Sequence, residues 1–86
     1  MNIYKITLVE EITGLPKSQI KSYIEHQIIH PFNIDELLFD DEDLTRLRFI
    51  RDIVQSCEAN LESLEIILNL VDQVHSLQNE IKKLKE

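Results

Sequence analysis

The 86-residue sequence predicts a mainly helical, all-α protein, and three observations support that prediction. Leucine and isoleucine recur at spacings of three and four residues along most of the chain, as they do in amphipathic helices. One glycine and two prolines leave few turn positions for a many-stranded sheet. Residues 60–86 contain no glycine or proline, so the last helix is expected to be the longest.

The first two helices form a predicted helix-turn-helix. The stretch TLVE at residues 7–10 fits a capping box, which places the first helix at about residues 8–13. Gly14 can take the left-handed conformation that ends a helix, and Pro16 has its dihedral angle preset for the first turn of the next one. Two helices joined by a tight glycine turn make a helix-turn-helix, and Pro31 prevents the second from continuing.

The second helix is expected to bury one face and expose the other. Its inward side chains are Ile20, Tyr23 and Ile24. Its outward side chains include Lys17, Gln19 and Lys21, which can contact phosphates or base edges when such a helix enters a DNA groove. Residues 32–39 then alternate between apolar and polar, which predicts a wing made of two strands or a loop.

An acidic run opens the third predicted helix. Four consecutive carboxylates at Asp40–Asp43 suit the positive end of a helix dipole. The following residues have an apolar face at helical spacing, formed by Leu44, Leu47, Ile50 and Val54. The winged helix-turn-helix head is therefore predicted to span residues 1–58.

The fourth helix carries two apolar faces. Asn60 suits its N-cap, and about 25 residues without a breaker give a helix of about 40 Å. The face expected to pack on the head is formed by Leu61, Leu64, Leu68 and Val71. The other face has the a/d spacing of a coiled coil, and its residues are Ile67, Leu70, Val74, Leu77, Ile81 and Leu84. Residues 60–86 are therefore predicted to be the dimerisation helix of a homodimer, with parallel and antiparallel pairing both open.

The charge balance favours a protein partner. Sixteen acidic and nine basic residues give a net charge of -7, which repels a phosphate backbone, so direct nucleic-acid binding is disfavoured and a basic protein is the expected partner. No apolar run is long enough to span a membrane and the N-terminus lacks a signal-peptide pattern, which predicts a soluble, cytoplasmic protein. The single Cys57 cannot form an intrachain disulfide and is expected to be a small buried thiol.

Neither an enzyme nor a cofactor nor a metal site is predicted. His26 and His30 are four residues apart, but Pro31 ends the helix there and no third ligand stands at a supporting spacing. His75 is expected to be a solvated residue beside the seam. The sequence has no glycine-rich phosphate loop and no nucleophile with an identifiable base.

Several short motifs resemble the MerR-type helix-turn-helix in their order and spacing. They are residues 7–31, which end in IIHP at residues 28–31, FDDEDLTRLRFIRDI at residues 39–53 and NLESLEIIL at residues 60–68. In that family these stretches are the winged two-helix head, the aspartate-capped third helix and the dimerisation helix. The family usually carries glycine where this chain has Gln27 and Glu58, and a left-handed turn at a non-glycine residue costs about 1 kcal/mol.

Within that superfamily the chain most resembles the CbpM family of chaperone modulators. The IIHP exit followed by FDDED, the tail LNLVDQVHSLQNEIKKL at residues 68–84 and the end of the chain soon after the long helix support this resemblance. It implies a protein that binds the J-domain of a DnaJ-like co-chaperone, CbpA. Such binding blocks both the stimulation of DnaK by the co-chaperone and the binding of the co-chaperone to DNA.

J-domains display a basic helix, so carboxylates near apolar anchors are the expected contact surface. The candidate residues are Asp35, Glu36, Phe39, Asp40, Asp41, Glu42 and Asp43, with Phe32, Leu37 and Leu38 as further apolar anchors. Helix capping and solubility are a simpler explanation of the same carboxylates. Two other functions stay open, namely a MerR-like DNA-binding regulator that uses Lys17, Gln19 and Lys21, and a plain coiled-coil interaction module.

Overall fold

The computed structural model describes residues 2–85 and confirms a mainly helical fold with a long C-terminal helix. Its helices within those residues are α1 (Ile6–Thr13), α2 (Lys17–Glu25), α3 (Asp41–Cys57) and α4 (Leu61–Lys85). Two short strands, β1 (Tyr4–Lys5) and β2 (Leu38–Phe39), form an antiparallel pair. One hydrophobic core joins all four helices and β2, and its buried members are Ile6, Val9, Leu15, Ile20, Tyr23, Ile28, Ile29, Phe39, Leu44, Leu47, Ile50, Leu64 and Leu68.

The start of α1 differs from the predicted one. The helix begins at Ile6, so Thr7 lies within its first turn, and the N-cap residue Lys5 makes no side-chain capping bond. The predicted capping box at residues 7–10 is therefore wrong. The physical reason is that Lys5 belongs to β1, where it lies opposite Leu38, so the strand pairing determines where the chain enters the helix.

The turn between α1 and α2 follows the prediction. Gly14 adopts a φ of 75°, and its N–H donates to the Glu10 carbonyl at 2.8 Å. Pro16 is expected in the first turn of α2 but is its N-cap residue, with an extended backbone. Its carbonyl accepts from the Ile20 N–H at 3.1 Å. The helix-turn-helix is thus present, with Ile20 and Tyr23 buried and Ile24 partly buried.

The wing is smaller than two full strands. Asn33 pairs with Leu38 in a single antiparallel bridge, and residues 34–37 form the turn between them. The longer pairing of β2 is with β1, whose Tyr4 lies opposite Phe39. Both segments are too short for alternation to reveal them, and their pairing joins positions far apart in the sequence.

The acidic run starts α3 as predicted. Asp40 is the N-cap, and its Oδ1 accepts from the Asp43 N–H at 2.8 Å. The Asp43 Oδ2 accepts in return from the Asp40 N–H at 3.0 Å, which completes a capping box. The inward residues of α3 are Leu44, Leu47 and Ile50, with Val54 partly buried.

The first half of α4 packs on the head, as predicted. Asn60 caps the helix, since its Oδ1 accepts from the Ser63 N–H at 2.8 Å. Leu64 and Leu68 are 1% and 2% exposed, and Leu61 and Val71 are partly buried. The same face becomes polar at the exposed His75, so the contact with the head ends within the first four turns.

Three residues other than glycine have left-handed backbone angles. Gln27, Leu37 and Glu58 have φ values of 58°, 54° and 52°, which confirms left-handed turns at the two positions where the MerR family usually carries glycine. Glu58 is exposed and ends α3, where its N–H donates to the Val54 carbonyl at 3.1 Å. The backbone at Glu58 is therefore strained, because a residue with a Cβ atom stands where the MerR family usually carries glycine.

Glycine at this position is expected to stabilise the protein. Glu58→Gly should raise the free energy of unfolding by about 0.5–1 kcal/mol, because glycine has no Cβ penalty at positive φ. Urea unfolding at a fixed protein concentration measures the change. Gln55→Gly is the matched control, since the same replacement inside an exposed helical turn should cost about 1 kcal/mol. Equal effects of the two replacements would contradict strain at Glu58.

Candidate protein interaction surfaces

The outward face of α2 presents few cations. Lys17 and Lys21 are exposed, whereas Gln19 is partly buried. Up to residue 60 the chain has six basic and eleven acidic residues, so the head carries a net charge of about -5. Two of the basic residues are held by contacts within the fold. Arg46 pairs with Asp72 at 3.1 Å, and Arg51 pairs with Asp52 at 3.0 Å.

The predicted acidic surface divides into exposed and internal residues. Asp35, Glu36, Asp41 and Glu42 are exposed, and Asp40 is partly buried. Phe39 is 0% exposed and Asp43 is 8% exposed, so neither can form part of a contact surface as predicted. The reasons are that Phe39 is the core residue of β2 and that Asp43 serves as the capping partner of Asp40.

Asp43 connects the wing to α3. Its Oδ2 accepts from the backbone N–H groups of Phe32, at 2.9 Å, and of Asp40, at 3.0 Å. Burial raises the pKa of Asp43, while these two N–H groups favour its charged form and oppose that shift. This carboxylate therefore holds the base of the wing against the first turn of α3.

Asp41 connects the N-terminal strand to α3. The Tyr4 hydroxyl donates to the Asp41 Oδ1 at 2.7 Å, and this hydrogen bond lowers the pKa of Asp41 below its usual value. The exposed carboxylate is therefore charged at neutral pH. It contributes a fixed negative charge beside Glu42 in the first turn of α3.

The wing exposes two large apolar side chains. Phe32 is 53% exposed and Ile34 is 59% exposed, whereas Leu37 and Leu38 are partly buried. Of the predicted anchors, Phe32 is thus the accessible one. The residues predicted from the sequence do not include Ile34, although its place between Asn33 and Asp35 in a turn is a signal of exposure.

The predicted dimer seam is an open apolar stripe. Ile67 is partly buried, and Leu70, Val74, Leu77, Ile81 and Leu84 are 51–86% exposed. The neighbouring Ile66, at 57% exposed, widens this stripe. The stripe continues for several turns beyond the last contact of α4 with the head, so nothing in the described part of this chain covers it. Dimerisation through these residues stays a prediction.

The remaining candidate residues are His26 in α2's C-terminal turn and Cys57 at the end of α3. The His26 ring Nδ1 lies 2.9 Å from the Ser22 carbonyl oxygen, and residues 2–85 hold no group of three metal-binding side chains. Cys57 is exposed, because it lies in the last turn of α3, so the prediction of a buried thiol is wrong. Among the described helices, none combines the length and apolarity that crossing a lipid bilayer requires.

The comparison with known proteins gives a family over almost the whole chain. Residues 4–86 match the family described as MerR HTH family regulatory protein, which covers the head and the long helix together. No curated protein matches the sequence. The motifs that the match spans are those described above, namely the glycine turn after α1, the aspartate-capped α3 and the Asn60-capped α4. The chain belongs to the MerR helix-turn-helix family of regulatory proteins.

Proposed function

We propose that this protein is a dimeric chaperone modulator of the CbpM type. It binds the J-domain of a DnaJ-like co-chaperone, CbpA, and inhibits both the co-chaperone activity and the DNA binding of that partner. The observation that carries the proposal is the surface of the head. Where a DNA-binding head needs cations, this head has a net charge of about -5, and its wing and the first turn of α3 expose four carboxylates, Asp35, Glu36, Asp41 and Glu42.

The inhibition follows from covering a basic surface. A J-domain contacts DnaK through a basic helix, and the exposed carboxylates of the head attract such a helix at long range. Affinity then comes from apolar side chains that become buried, for which Phe32 and Ile34 are the accessible candidates. A J-domain held in this way can contact neither DnaK nor the phosphates of DNA.

A homodimer fits this function because α4 serves two purposes. Its first half stabilises the head through Leu64 and Leu68, and its second half offers the open seam to a second copy. One dimer then displays two heads. Two J-domains, or two copies within a dimeric co-chaperone, can be bound at once.

A DNA-binding regulator is the alternative, and family membership together with the exposed Lys17 and Lys21 favours it. DNA binding predicts that affinity falls steeply with salt concentration, since each neutralised phosphate releases counterions. It also predicts weaker binding after Lys17→Ala or Lys21→Ala. The modulator function predicts that neither replacement changes J-domain binding.

Charge reversal tests the proposed modulator function. The wild-type protein should inhibit J-domain stimulation of DnaK ATPase activity, and a fourfold variant should lose that inhibition. The variant combines Asp35→Lys, Glu36→Lys, Asp41→Lys and Glu42→Lys. Lysine in the first turn of α3 costs about 0.3–1 kcal/mol through the helix dipole, so circular dichroism must show that the helices remain.

A second fourfold variant with the same change of net charge is the control. It places lysine at exposed acidic positions outside the wing and the first turn of α3, namely Glu11, Glu58, Glu62 and Glu65. The control variant should still inhibit. Equal inhibition by both variants would show that the acidic surface does not bind the J-domain, and no inhibition by the wild-type protein would refute the modulator function.

A further inference from the structure

We propose that the partner docks in one particular place, a groove between the end of α2 and the wing, and that it does so with a basic amphipathic helix. This wing groove has a volume of about 560 Å³ and is lined in part by Ile24, Glu25, Pro31 and Ile34. Phe32 stands next to it in the chain. The inference rests on the proposed function for the partner, a J-domain, and adds the contact surface.

Two exposed apolar side chains, Phe32 and Ile34, stand at the wing groove. Phe32 and Ile34, each more than half exposed, lie two residues apart at the wing, and Ile24 and Ile29 line the adjacent groove. Single exposed apolar residues are common on protein surfaces, but adjacent ones beside a concave surface mark interaction sites. Their contacts within residues 2–85 leave the outer faces of Phe32 and Ile34 uncovered.

These side chains are held on a rigid support. Asn33 and Leu38 exchange backbone hydrogen bonds of 3.1 and 3.0 Å, which close the wing turn. Inside the turn, the Glu36 N–H donates to the Asn33 Oδ1 at 3.0 Å. At its base, the Phe32 N–H donates to the buried Asp43 carboxylate at 2.9 Å. A wing turn held by hydrogen bonds at both ends loses little conformational entropy when a partner binds, which favours affinity.

The charges around the wing groove select a cationic partner. Glu25 lines the groove, and Asp35 and Glu36 stand exposed in the wing turn beside Ile34. No lysine or arginine is among the groove-lining residues. A helix with an apolar stripe bordered by lysine or arginine therefore matches both the apolar floor and the acidic rim.

A second copy of this chain does not match the wing groove. Each head carries a net charge of about -5 from eleven acidic and six basic residues, so a second head at this groove would bring carboxylates against carboxylates. The apolar seam that suits a second copy lies on α4, which does not line the groove. The seam predicted for a second copy therefore uses none of the residues that line the wing groove.

Single replacements in the full-length protein test whether the partner binds at the wing groove. Calorimetric titration with the isolated J-domain should show affinity reduced at least tenfold by Ile34→Asn, because the replacement removes an apolar anchor. Leu8→Asn is the matched control, since Leu8 is an exposed apolar residue of α1 outside the groove, and it should change affinity less than threefold. Equal affinities of the two variants would overturn the wing groove.

The two exposed acidic pairs give an independent comparison. Reversal of the wing pair, Asp35→Lys with Glu36→Lys, should weaken J-domain binding at least tenfold. Reversal of the α3 pair, Asp41→Lys with Glu42→Lys, should weaken it by a clearly smaller factor, because these two carboxylates do not line the wing groove and contribute only long-range attraction. A larger effect of the α3 pair would move the contact surface away from the wing and overturn the inference.

A measurement on the wild-type protein removes any dependence on variants that fail to fold. Addition of the J-domain to isotopically labelled protein should shift the amide NMR signals of Phe32, Ile34 and Glu36 more than those of α1. Binding with the largest shifts elsewhere would overturn the wing groove and leave the modulator function intact. A complete lack of J-domain binding by the wild-type protein would overturn both.

Discussion

Leu77→Lys should convert the protein from a dimer into a monomer. Leu77 is 57% exposed in the single chain and lies in the middle of the predicted seam. In a dimer formed through the seam, lysine at this position would bury a charge on each chain among apolar side chains, whichever way the two helices run. Sedimentation equilibrium at micromolar concentration should show a dissociation constant at least ~100-fold higher, or no dimer at all.

Asn79→Lys is the control for this replacement. Asn79 is exposed two residues later on α4 and lies outside the predicted seam, so the same charge there should leave the dimer intact. The Leu77→Lys monomer should keep its folded head, because Leu64 and Leu68 still supply the core contacts of α4. A dimer of unchanged affinity after Leu77→Lys would refute the seam.

Leu64→Ala should strongly destabilise the protein. Leu64 is 1% exposed and belongs to the one core that joins the head to α4. Truncation of a buried leucine to alanine costs about 2–5 kcal/mol through lost burial and the cavity left behind. This loss is a large share of the roughly 5–15 kcal/mol by which typical domains are stable. Urea unfolding should therefore show a much lower midpoint, with the head and α4 unfolding together.

Asn69→Ala provides the comparison on the exposed side of the same helix. Its side chain is exposed, so the replacement should change the free energy of unfolding by at most about 0.5 kcal/mol. If Leu64→Ala had an equally small effect, the first half of α4 would not be part of the head's core.

The helices could be predicted because their signals are local. Gly14, the acidic start of α3 and Asn60 each act on neighbouring backbone groups, and the structure confirms all three. The spacing of the apolar residues along α4 also predicts that Leu64 and Leu68 pack inward, and both are buried. The start of α1 could not be predicted, because the pairing of Lys5 with Leu38 depends on residues 33 positions apart.

The contact surface was only partly predictable for a similar reason. The sequence shows where carboxylates lie but not which of them accept hydrogen bonds inside the fold. It therefore predicts Asp43 as a surface charge, whereas the structure has it accepting from the N–H groups of Phe32 and Asp40. The sequence likewise predicts Phe39 as an apolar anchor, whereas the structure buries it in β2. The exposure of Ile34 follows from the conformation of the wing turn, which no local sequence pattern determines.

Titration of the wild-type protein with two ligands tests the protein-partner function most directly. At roughly physiological salt, an isolated J-domain and a duplex DNA of mixed sequence are each added to the same preparation in a calorimeter. The modulator function predicts saturable J-domain binding at micromolar concentration or tighter, with one J-domain per protomer and no heat from DNA. Tight, strongly salt-dependent DNA binding without J-domain binding would contradict it and would make Lys17 and Lys21 of α2 the functional residues.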